Sequence, residues 1–218
     1  MKYILKELEV DKGEVAGLVF DIESTGLSEK SEEMYNVAIA GISANYDVLF
    51  AYDYWGIPTD RLMPPDLTEK FGTTLLDIIV RSQNTLFVND MPDILQVFHE
   101  YSNTIYIAQN ISFDKKWLYS LNKSVPAKHG IFSVTDELDL MDVFASEFSG
   151  NKNLNLQMKT LGVTEALVTI TMNMTFGENN KLGRHTGLFD VMAEILCLKR
   201  LSAKKGGIDL YELHRNTR

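Results

Sequence analysis

Two acidic side chains stand at the end of the first apolar stretch of the sequence. Asp21 and Glu23 belong to the segment Val19–Leu27, in which an apolar run leads directly into a Ser-Thr-Gly turn. Residues two apart in a strand project from the same face about 7 Å apart, so both carboxylates can reach one metal site. Other acidic pairs have the same spacing, but only this pair ends an apolar strand and enters such a turn. Functional sites tend to be built at strand ends, which favours a metal site here.

A third candidate carboxylate follows a second apolar run. Asp114 lies in the segment Gln109–Trp117, directly after a short buried strand predicted at Thr104–Ala108. Asn110 has the residue type of a helix N-cap, which places Asp114 in the first turn of a helix. A carboxylate there is stabilised by the helix dipole by about 0.3–1 kcal/mol, so a structural role and a role in a site both remain open.

A histidine and an aspartate five residues apart open the last long helical segment. If His185 and Asp190 were both helical, they would point about 140° away from each other around the helix axis. His185 is therefore predicted on the preceding loop, with Thr186 as N-cap, Gly187 as the first helical residue and Asp190 in the first turn. From that loop the imidazole can fold back over the site, where it could act as a general base.

The strands and helices predicted around these residues have a mixed α/β order. The apolar pattern predicts four strands, the first three forming a meander, at Ala16–Ile22, Tyr35–Ser43, Asp47–Tyr54 and Thr104–Ala108. Helical periodicity predicts a helix that begins at Asn110 and helices at Thr73–Ser82, Met91–Tyr101, Leu138–Phe148, Leu154–Leu161 and Gly187–Lys204. Strands followed by helices are typical of a mixed sheet with helices packed on it.

The composition is that of one globular domain. The chain has 218 residues, of which 45% are hydrophobic and 23% are charged. Its formal net charge of -9 argues against a protein that binds long stretches of nucleic acid through its overall charge. It does not argue against one that binds a strand end through metal ions. The single cysteine, Cys197, cannot form an internal disulfide and is predicted to be a small buried side chain. The sequence contains no apolar leader and no run of about 18 apolar residues, so we expect a cytoplasmic protein without a membrane segment.

The three candidate places form an ordered set. An Asp-x-Glu at a strand end, an Asn-x-x-Phe-Asp at a helix start and a His-x-x-x-x-Asp opening a late helix resemble the DEDDh family of 3′-to-5′ exonucleases, which includes RNase T, oligoribonuclease and the proofreading exonucleases. The resemblance covers about Leu18 to Leu201. It implies an α/β, ribonuclease H-like fold with a mixed five-stranded sheet and helices packed on both faces. We expect a single exonuclease domain over residues 1–218, with a core at about 16–204.

The resemblance also implies roles for individual residues. The metal-binding carboxylates would be Asp21, Glu23, Asp114 and Asp190, and the general base would be His185. Contacts to the terminal nucleotide would come from Ser24, Thr25, Gly26, Leu27 and Asn110. Thr186 stands where the sister group of the family has a tyrosine, so the tyrosine variant is disfavoured. Two departures concern contacts near the scissile phosphate: Gln109 replaces the usual histidine before Asn110, and Asn36 replaces an acidic residue often found in the second strand.

The chemistry of such a carboxylate cluster agrees with this implication. Crowded carboxylates repel one another, and hard oxygen ligands select two divalent cations, Mg²⁺ or Mn²⁺, over zinc. Two such ions about 4 Å apart can promote in-line hydrolysis of a phosphodiester bond. The expected activity is hydrolysis from the 3′ end of DNA, single-stranded or frayed, with a replication or repair protein as a possible partner. The alternatives are an RNA 3′-exonuclease and a non-catalytic nucleic-acid-binding module. The His-x-x-x-x-Asp pairing disfavours an endonuclease of the ribonuclease H type.

An insertion is predicted between the last two helices, at about residues 165–184. Thr169–Met174 alternates apolar and polar residues as a half-buried strand does, and Gly177–Asn180 offers turn chemistry. We therefore expect a hairpin or mobile loop beside the active site, in which Lys181 and Arg184 could hold upstream phosphates of the substrate.

Overall fold

A mixed six-stranded sheet forms the centre of the molecule. The computed structural model describes residues 2–7, 10–59, 73–124, 136–148, 153–177 and 186–217. The strands are β1 (Lys2–Glu7), β2 (Gly17–Ser24), β3 (Met34–Ile42), β4 (Val48–Trp55), β5 (Ile105–Ala108) and β6 (Glu137–Asp139). Their order across the sheet is β1-β4-β3-β2-β5-β6. The predicted meander β2-β3-β4 is antiparallel, β1 pairs antiparallel with β4, and β2, β5 and β6 run parallel.

The α/β class is confirmed, but the sheet has six strands rather than five. Both edge strands were missed in the sequence. β1 mixes charge with apolar residues and is held as a strand by its pairing with β4. β6 has only three residues, and its pairing with β5 separates it from the helix that was predicted to begin at Leu138. Edge strands depend on such long-range pairing more than on local pattern.

Eight α-helices surround the sheet within the described residues. They are α1 (Leu75–Arg81), α2 (Met91–Glu100), α3 (Ile111–Ser124), α4 (Leu140–Glu147), α5 (Leu154–Leu161), α6 (Glu165–Phe176), α7 (Gly187–Lys204) and α8 (Leu210–Thr217). The bounds predicted for α5 and α7 match, because Asn153 and Thr186 cap these helices with their side chains. The last helix, α8, lies beyond the predicted core and was not foreseen.

Helices cover both faces of the sheet, as predicted. On one face α4 to α8 form a core with Val19 of β2 and Ala38 and Ala40 of β3. On the other face α2 and α3 pack against Phe20 and Ile22 of β2. Successive residues of β2 therefore point into different cores, and this alternation sets the direction of the acidic side chains at the end of the strand.

The segment predicted as a half-buried strand is a helix. Residues 165–176 form α6, whose N-cap Thr164 accepts a hydrogen bond from the backbone N–H of Leu167. Val168 and Met172, four residues apart, are buried by this helix, whereas Ile170 and Met174 stay exposed at 55% and 83%. A period of two and a helical i, i+4 pair both fit this run of residues, and packing against α7 favours the helix. The rest of the expected hairpin, including Lys181 and Arg184, lies outside the described residues.

Two smaller expectations concern burial and membranes. Cys197 is fully buried in α7, as predicted. None of the helices that the structure describes is both long and apolar enough to cross a membrane.

Candidate active site

Three acidic side chains meet where the end of β2 faces the start of α7. Asp21, Glu23 and Asp190 each offer one carboxylate oxygen, and these three oxygens lie within 4.8 Å of one another. Asp21 and Glu23 share a face of β2 with Val19, which belongs to the core beneath α7. The pleat of β2 thus carries both carboxylates toward the helix that supplies Asp190. Two distant segments of the chain thus supply the three carboxylates, which the family resemblance implies are metal ligands.

A close backbone approach brings the first turn of α7 onto the sheet. A Cβ added to Gly187 would stand 2.9 Å from Asn36 Oδ1, 3.1 Å from Ala38 Cβ and 3.3 Å from Asp21 Oδ2. Any side chain at position 187 would therefore push the helix away from β2 and β3. The Thr186 hydroxyl caps the helix by accepting a hydrogen bond from the N–H of Phe189, at 3.4 Å. Asp190 lies in the first turn after this cap.

A buried amide holds the helix start in place. Asn36 Oδ1 accepts a hydrogen bond from the N–H of Gly187 at 2.9 Å, and Asn36 Nδ2 donates to Asp53 Oδ1 at 2.7 Å and to the Tyr54 carbonyl at 2.8 Å. Asp53 Oδ2 accepts a further bond from Trp55 Nε1 at 2.6 Å. Asn36 therefore links the start of α7 to β4. Sequence reasoning singled out Asn36 only as a departure from the family pattern and did not foresee this link.

Burial makes Asp53 a proton-binding group near neutral pH. Its desolvation raises the pKa to about 6, while the hydrogen bonds from Trp55 and Asn36, and the charge of Arg81, oppose the rise. Arg81 itself stacks 4.8 Å from the Trp55 ring.

Asp114 lies beside the three converging carboxylates but has a backbone partner of its own. It is only 2% exposed in the first turn of α3, and its Oδ1 accepts a hydrogen bond from the N–H of Ile22 at 3.2 Å. Ile22 stands between Asp21 and Glu23, so Asp114 braces the segment that carries them. Both roles left open by the sequence, structural and site-forming, are compatible with this position.

The acidic side chains resist ionisation in one another's presence. Burial raises the pKa of Asp21 well above its ordinary value, and the charges of Glu23, Asp114, Asp190 and Glu194 raise it further. Burial, together with Asp190, raises the pKa of Glu23 to about 8, although the Tyr35 hydroxyl donates to it at 3.4 Å. Asp21 Oδ2 is buried and has no hydrogen-bond partner among the described residues. A cluster with orphaned anionic oxygens fits hard divalent cations, because a bound cation favours the charged carboxylates.

A further acidic residue was missed in the sequence. Glu194 lies on α7 one helical turn after Asp190 and is completely buried. The available signal was an acidic residue at i+4 from Asp190 inside an otherwise apolar stretch of helix.

The turn after Glu23 is held mainly by its own hydrogen bonds. The Ser24 hydroxyl donates to the Gly26 carbonyl at 2.6 Å, and the buried Thr25 hydroxyl accepts from the N–H of Glu33 at 2.9 Å. A Cβ on Gly26 would collide with the Glu32 side chain at 2.6 Å. Leu27, at 85% exposed, is the predicted nucleotide contact that this turn presents most openly to solvent.

The remaining predicted site residues have different placements. Asn110 is exposed and adopts a positive φ of 63°, and its backbone N–H donates to Asp139 Oδ1 at 3.1 Å. Its side-chain oxygen accepts from the Ser112 hydroxyl at 3.1 Å. His185, the predicted general base, lies outside the described residues, directly before the cap Thr186.

Comparison with solved structures identifies the architecture. A structure of exonuclease I superimposes with a TM-score of 0.69 at 16% sequence identity, over 92% of this chain and 42% of that one. E. coli exonuclease I in complex with a dT13 oligonucleotide gives a TM-score of 0.66 at 16% identity, over 87% of this chain and 41% of that one. The chain has the fold of exonuclease I. The expected ribonuclease H-like architecture is thereby confirmed.

Comparison with curated sequences finds similarity to part of PolC-type DNA polymerases. The chain is 25% identical over 165 residues to the DNA polymerase III PolC-type of Staphylococcus haemolyticus (strain JCSC1435), covering 72% of this chain and 10% of the polymerase. The corresponding protein of Staphylococcus epidermidis (strain ATCC 35984) is 26% identical over 153 residues, covering 67% of this chain and 10% of the polymerase. The chain thus spans about a tenth of the length of these relatives. No protein-family model matches it.

Proposed function

We propose that this protein is a metal-dependent 3′-to-5′ exonuclease that hydrolyses DNA from its 3′ end. The observation that carries the proposal is the convergence of Asp21, Glu23 and Asp190 within 4.8 Å, in a chain with the fold of exonuclease I. The sequence similarity to PolC-type DNA polymerases supports DNA as the substrate class. The whole chain, residues 1–218, would form a single exonuclease domain.

Four carboxylates would hold two divalent cations, Mg²⁺ or Mn²⁺. Asp21, Glu23 and Asp190 would supply the converging oxygens, and Asp114 would add a further carboxylate from the start of α3. When bound, the cations supply Lewis acidity that favours attack by water at phosphorus and stabilises the leaving 3′ oxygen. Their positive charge would also allow an acidic protein to hold the phosphates of a strand end.

The histidine before α7 would act as the general base. His185 would accept a proton from the attacking water, a task suited to an imidazole whose pKa is near neutral. Its chain neighbour Thr186 caps α7, so the helix that carries Asp190 also sets where the histidine segment begins. This link between base and metal ligand motivates the assignment.

The turn between β2 and β3 would contact the terminal nucleotide. Leu27 is exposed in the turn that follows Glu23 and could pack against the last base or sugar, while the hydrogen bonds of Ser24 and Thr25 would keep this turn in place. Asn110, exposed at the start of α3, would contact the backbone of the strand. The substrate would be a single-stranded or frayed 3′ end in the cytoplasm.

A partner protein of replication or repair fits this function. A solved exonuclease I with this fold was determined in a complex described as ExoI/SSB-Ct, with a TM-score of 0.65. The PolC relatives are polymerases. We therefore propose that the protein acts beside other proteins that handle DNA.

A labelled-substrate assay tests the proposal. The protein is incubated with Mg²⁺ and matched 5′-labelled single-stranded DNA, duplex DNA and RNA, with D190N as the inactive control. We expect a ladder of products shortened one nucleotide at a time from the 3′ end of single-stranded DNA. Faster degradation of RNA would make it an RNA 3′-exonuclease. Binding of all three strands without products would make it a non-catalytic nucleic-acid-binding module.

A further inference from the structure

Helix α7 carries a second acidic side chain in its most buried part. Glu194 is 0% exposed, and within the described part of the chain neither of its carboxylate oxygens has a hydrogen-bond partner. Its neighbours along the helix, including Val191, Met192 and Ile195, are apolar and buried. A buried carboxylate with no side-chain donor or cation beside it is strongly unfavourable, and the backbone of Gln109 favours the charged form only in part.

The charges that reach Glu194 are those of the acidic cluster. Burial raises its pKa well above the ordinary value, and Asp190, Asp114 and Asp139 raise it further, while the backbone of Gln109 opposes part of the rise. Glu194 in turn raises the pKa of Asp21. The i, i+4 spacing places Glu194 on the same helix face as Asp190, one turn deeper in the core. Glu194 therefore lies behind the three converging carboxylates, on the side away from solvent.

We propose that Glu194 is a fifth acidic residue of the metal centre, which adds negative charge behind Asp21 and Asp190 and is compensated only when divalent cations bind. This inference rests on the proposed function. Glu194 does not belong to the group of oxygens within 4.8 Å of one another, so it acts through the field at the site and not as a fourth member of that group. It is a positioning residue for the cations.

Two substitutions separate the effect of the charge of Glu194 from the effect of its side-chain size. Glu194→Gln keeps the size of the side chain and removes its charge, whereas Glu194→Asp keeps the charge on a shorter chain. The matched control is Glu212→Gln on the exposed face of α8, which removes one negative charge away from the acidic cluster. Calorimetric titration with Mn²⁺ measures affinity, and thermal unfolding with EDTA or Mn²⁺ measures stability.

The expected results differ between the variants. E194Q removes a unit negative charge within one helical turn of the bound cations, in a partly polar interior. We therefore expect its Mn²⁺ affinity to fall about tenfold or more. In EDTA the same variant should unfold at a temperature no lower than that of the wild type, because the amide carries no charge for the neighbouring carboxylates to repel. E194D should stay within about threefold of wild-type affinity, and E212Q should be unchanged.

Four outcomes would each overturn the role of Glu194, the metal centre or the proposed function. Wild-type Mn²⁺ affinity in E194Q overturns the role of Glu194, whatever the nuclease activity. Failure of E194Q to fold also overturns it, because an isosteric amide should not unfold a protein in which the charge has no partner. A wild-type protein that binds no Mn²⁺ overturns the metal centre, and with it the proposed function. A wild type that binds Mn²⁺ but leaves DNA intact overturns only the proposed function, and the E194Q comparison still decides the role of Glu194.

Discussion

Asn36 and Asp53 join the start of α7 to the sheet, and exchanging the two side chains tests this link. The change consists of Asn36→Asp, Asp53→Asn and the double variant N36D/D53N. In the double variant, the carboxylate introduced at position 36 can still accept from the N–H of Gly187. The amide introduced at position 53 can donate to that carboxylate while accepting from Trp55 Nε1. Three of the four side-chain hydrogen bonds in the wild-type link are thereby retained.

The expected losses follow from counting these bonds. N36D loses both donations from Asn36 and places two carboxylates in contact, which should reduce the free energy of unfolding by about 3–5 kcal/mol. D53N leaves one donor facing another donor and should cost about 1–3 kcal/mol. The double variant lacks only the bond to the Tyr54 carbonyl and should lose about 1–2 kcal/mol. The two changes should therefore compensate each other by about 2 kcal/mol or more.

The assay combines stability with a local probe of the helix start. Urea unfolding at pH 7 provides the double-mutant cycle, and amide hydrogen exchange at Gly187 reports whether its N–H is still bonded. Exonuclease turnover on a single-stranded oligonucleotide then shows whether Asp190 is held in place. N45D, D47N and their combination serve as controls, because both residues are exposed in the turn at the other end of β3 and β4. There we expect each change to stay below about 1 kcal/mol.

Additive losses in the N36D/D53N cycle would refute the reasoning, because they would show that the two side chains do not interact. Protection of the Gly187 amide that is unchanged in N36D would refute the capping role of Asn36. Recovery of stability in the double variant without recovery of turnover would show that the link supports the fold but not the position of Asp190.

Three further predictions concern the site and its support. Asp190→Asn should abolish turnover and raise the apo-state melting temperature, because it removes one charge from a repelling cluster; near-normal turnover with Mg²⁺ would contradict the metal assignment. Gly187→Ala should lower the free energy of unfolding by about 1–3 kcal/mol and reduce turnover, since its Cβ would stand 2.9 Å from Asn36 Oδ1; an unchanged urea midpoint would argue against the close approach. The pKa of Asp53 is raised to about 6, so the folded state binds this proton more tightly than the unfolded state. The contribution of Asp53 to the free energy of unfolding should therefore fall by about 2–3 kcal/mol as pH rises from about 4 to 6. D53N should lose this pH dependence in urea unfolding, and a wild-type-like profile in D53N would contradict the raised pKa.

One prediction depends on the residue before α7. Replacing His185 by Ala should lower turnover by about 10²–10⁴-fold with little change in Mn²⁺ affinity, as expected for a general base. The measurement is the pH profile of turnover together with a Mn²⁺ titration. A collapse of Mn²⁺ binding with an unchanged pH profile would instead make His185 a ligand or a structural residue.

Local sequence features determined the parts of the site that depend on short-range chemistry. The apolar run before Asp21 and the turn residues after Glu23 define the end of β2, and Thr186 with Gly187 defines the start of α7. Caps and strand periodicity act over a few residues, so their effect can be read without the fold. The family resemblance carried by the ordered acidic motifs then implied that β2, α3 and α7 meet.

The tertiary structure decided which pattern prevailed where the local signal was ambiguous. Residues 169–174 alternate like a strand but also contain the helical pair Val168 and Met172, and packing on α7 selected the helix. β1 and β6 exist as strands because β4 and β5 offer free edges to pair with. A local sequence pattern cannot predict such an edge, because the partner strand lies far away in the chain. The distance is about 50 residues for β1 and about 30 residues for β6.

Burial of polar groups was also decided by the tertiary structure alone. In the sequence Glu194 is an acidic residue in a helix, and such residues usually face solvent. Only the packing of α7 across β2 and β3 places it behind Asp21, and only the pairing of β3 with β4 brings Asn36 to Asp53. The sequence determines the charge and the hydrogen-bonding capacity of each side chain. Its desolvation and its hydrogen-bond partners depend on residues distant in the chain, and they determine the chemistry that the side chain can perform.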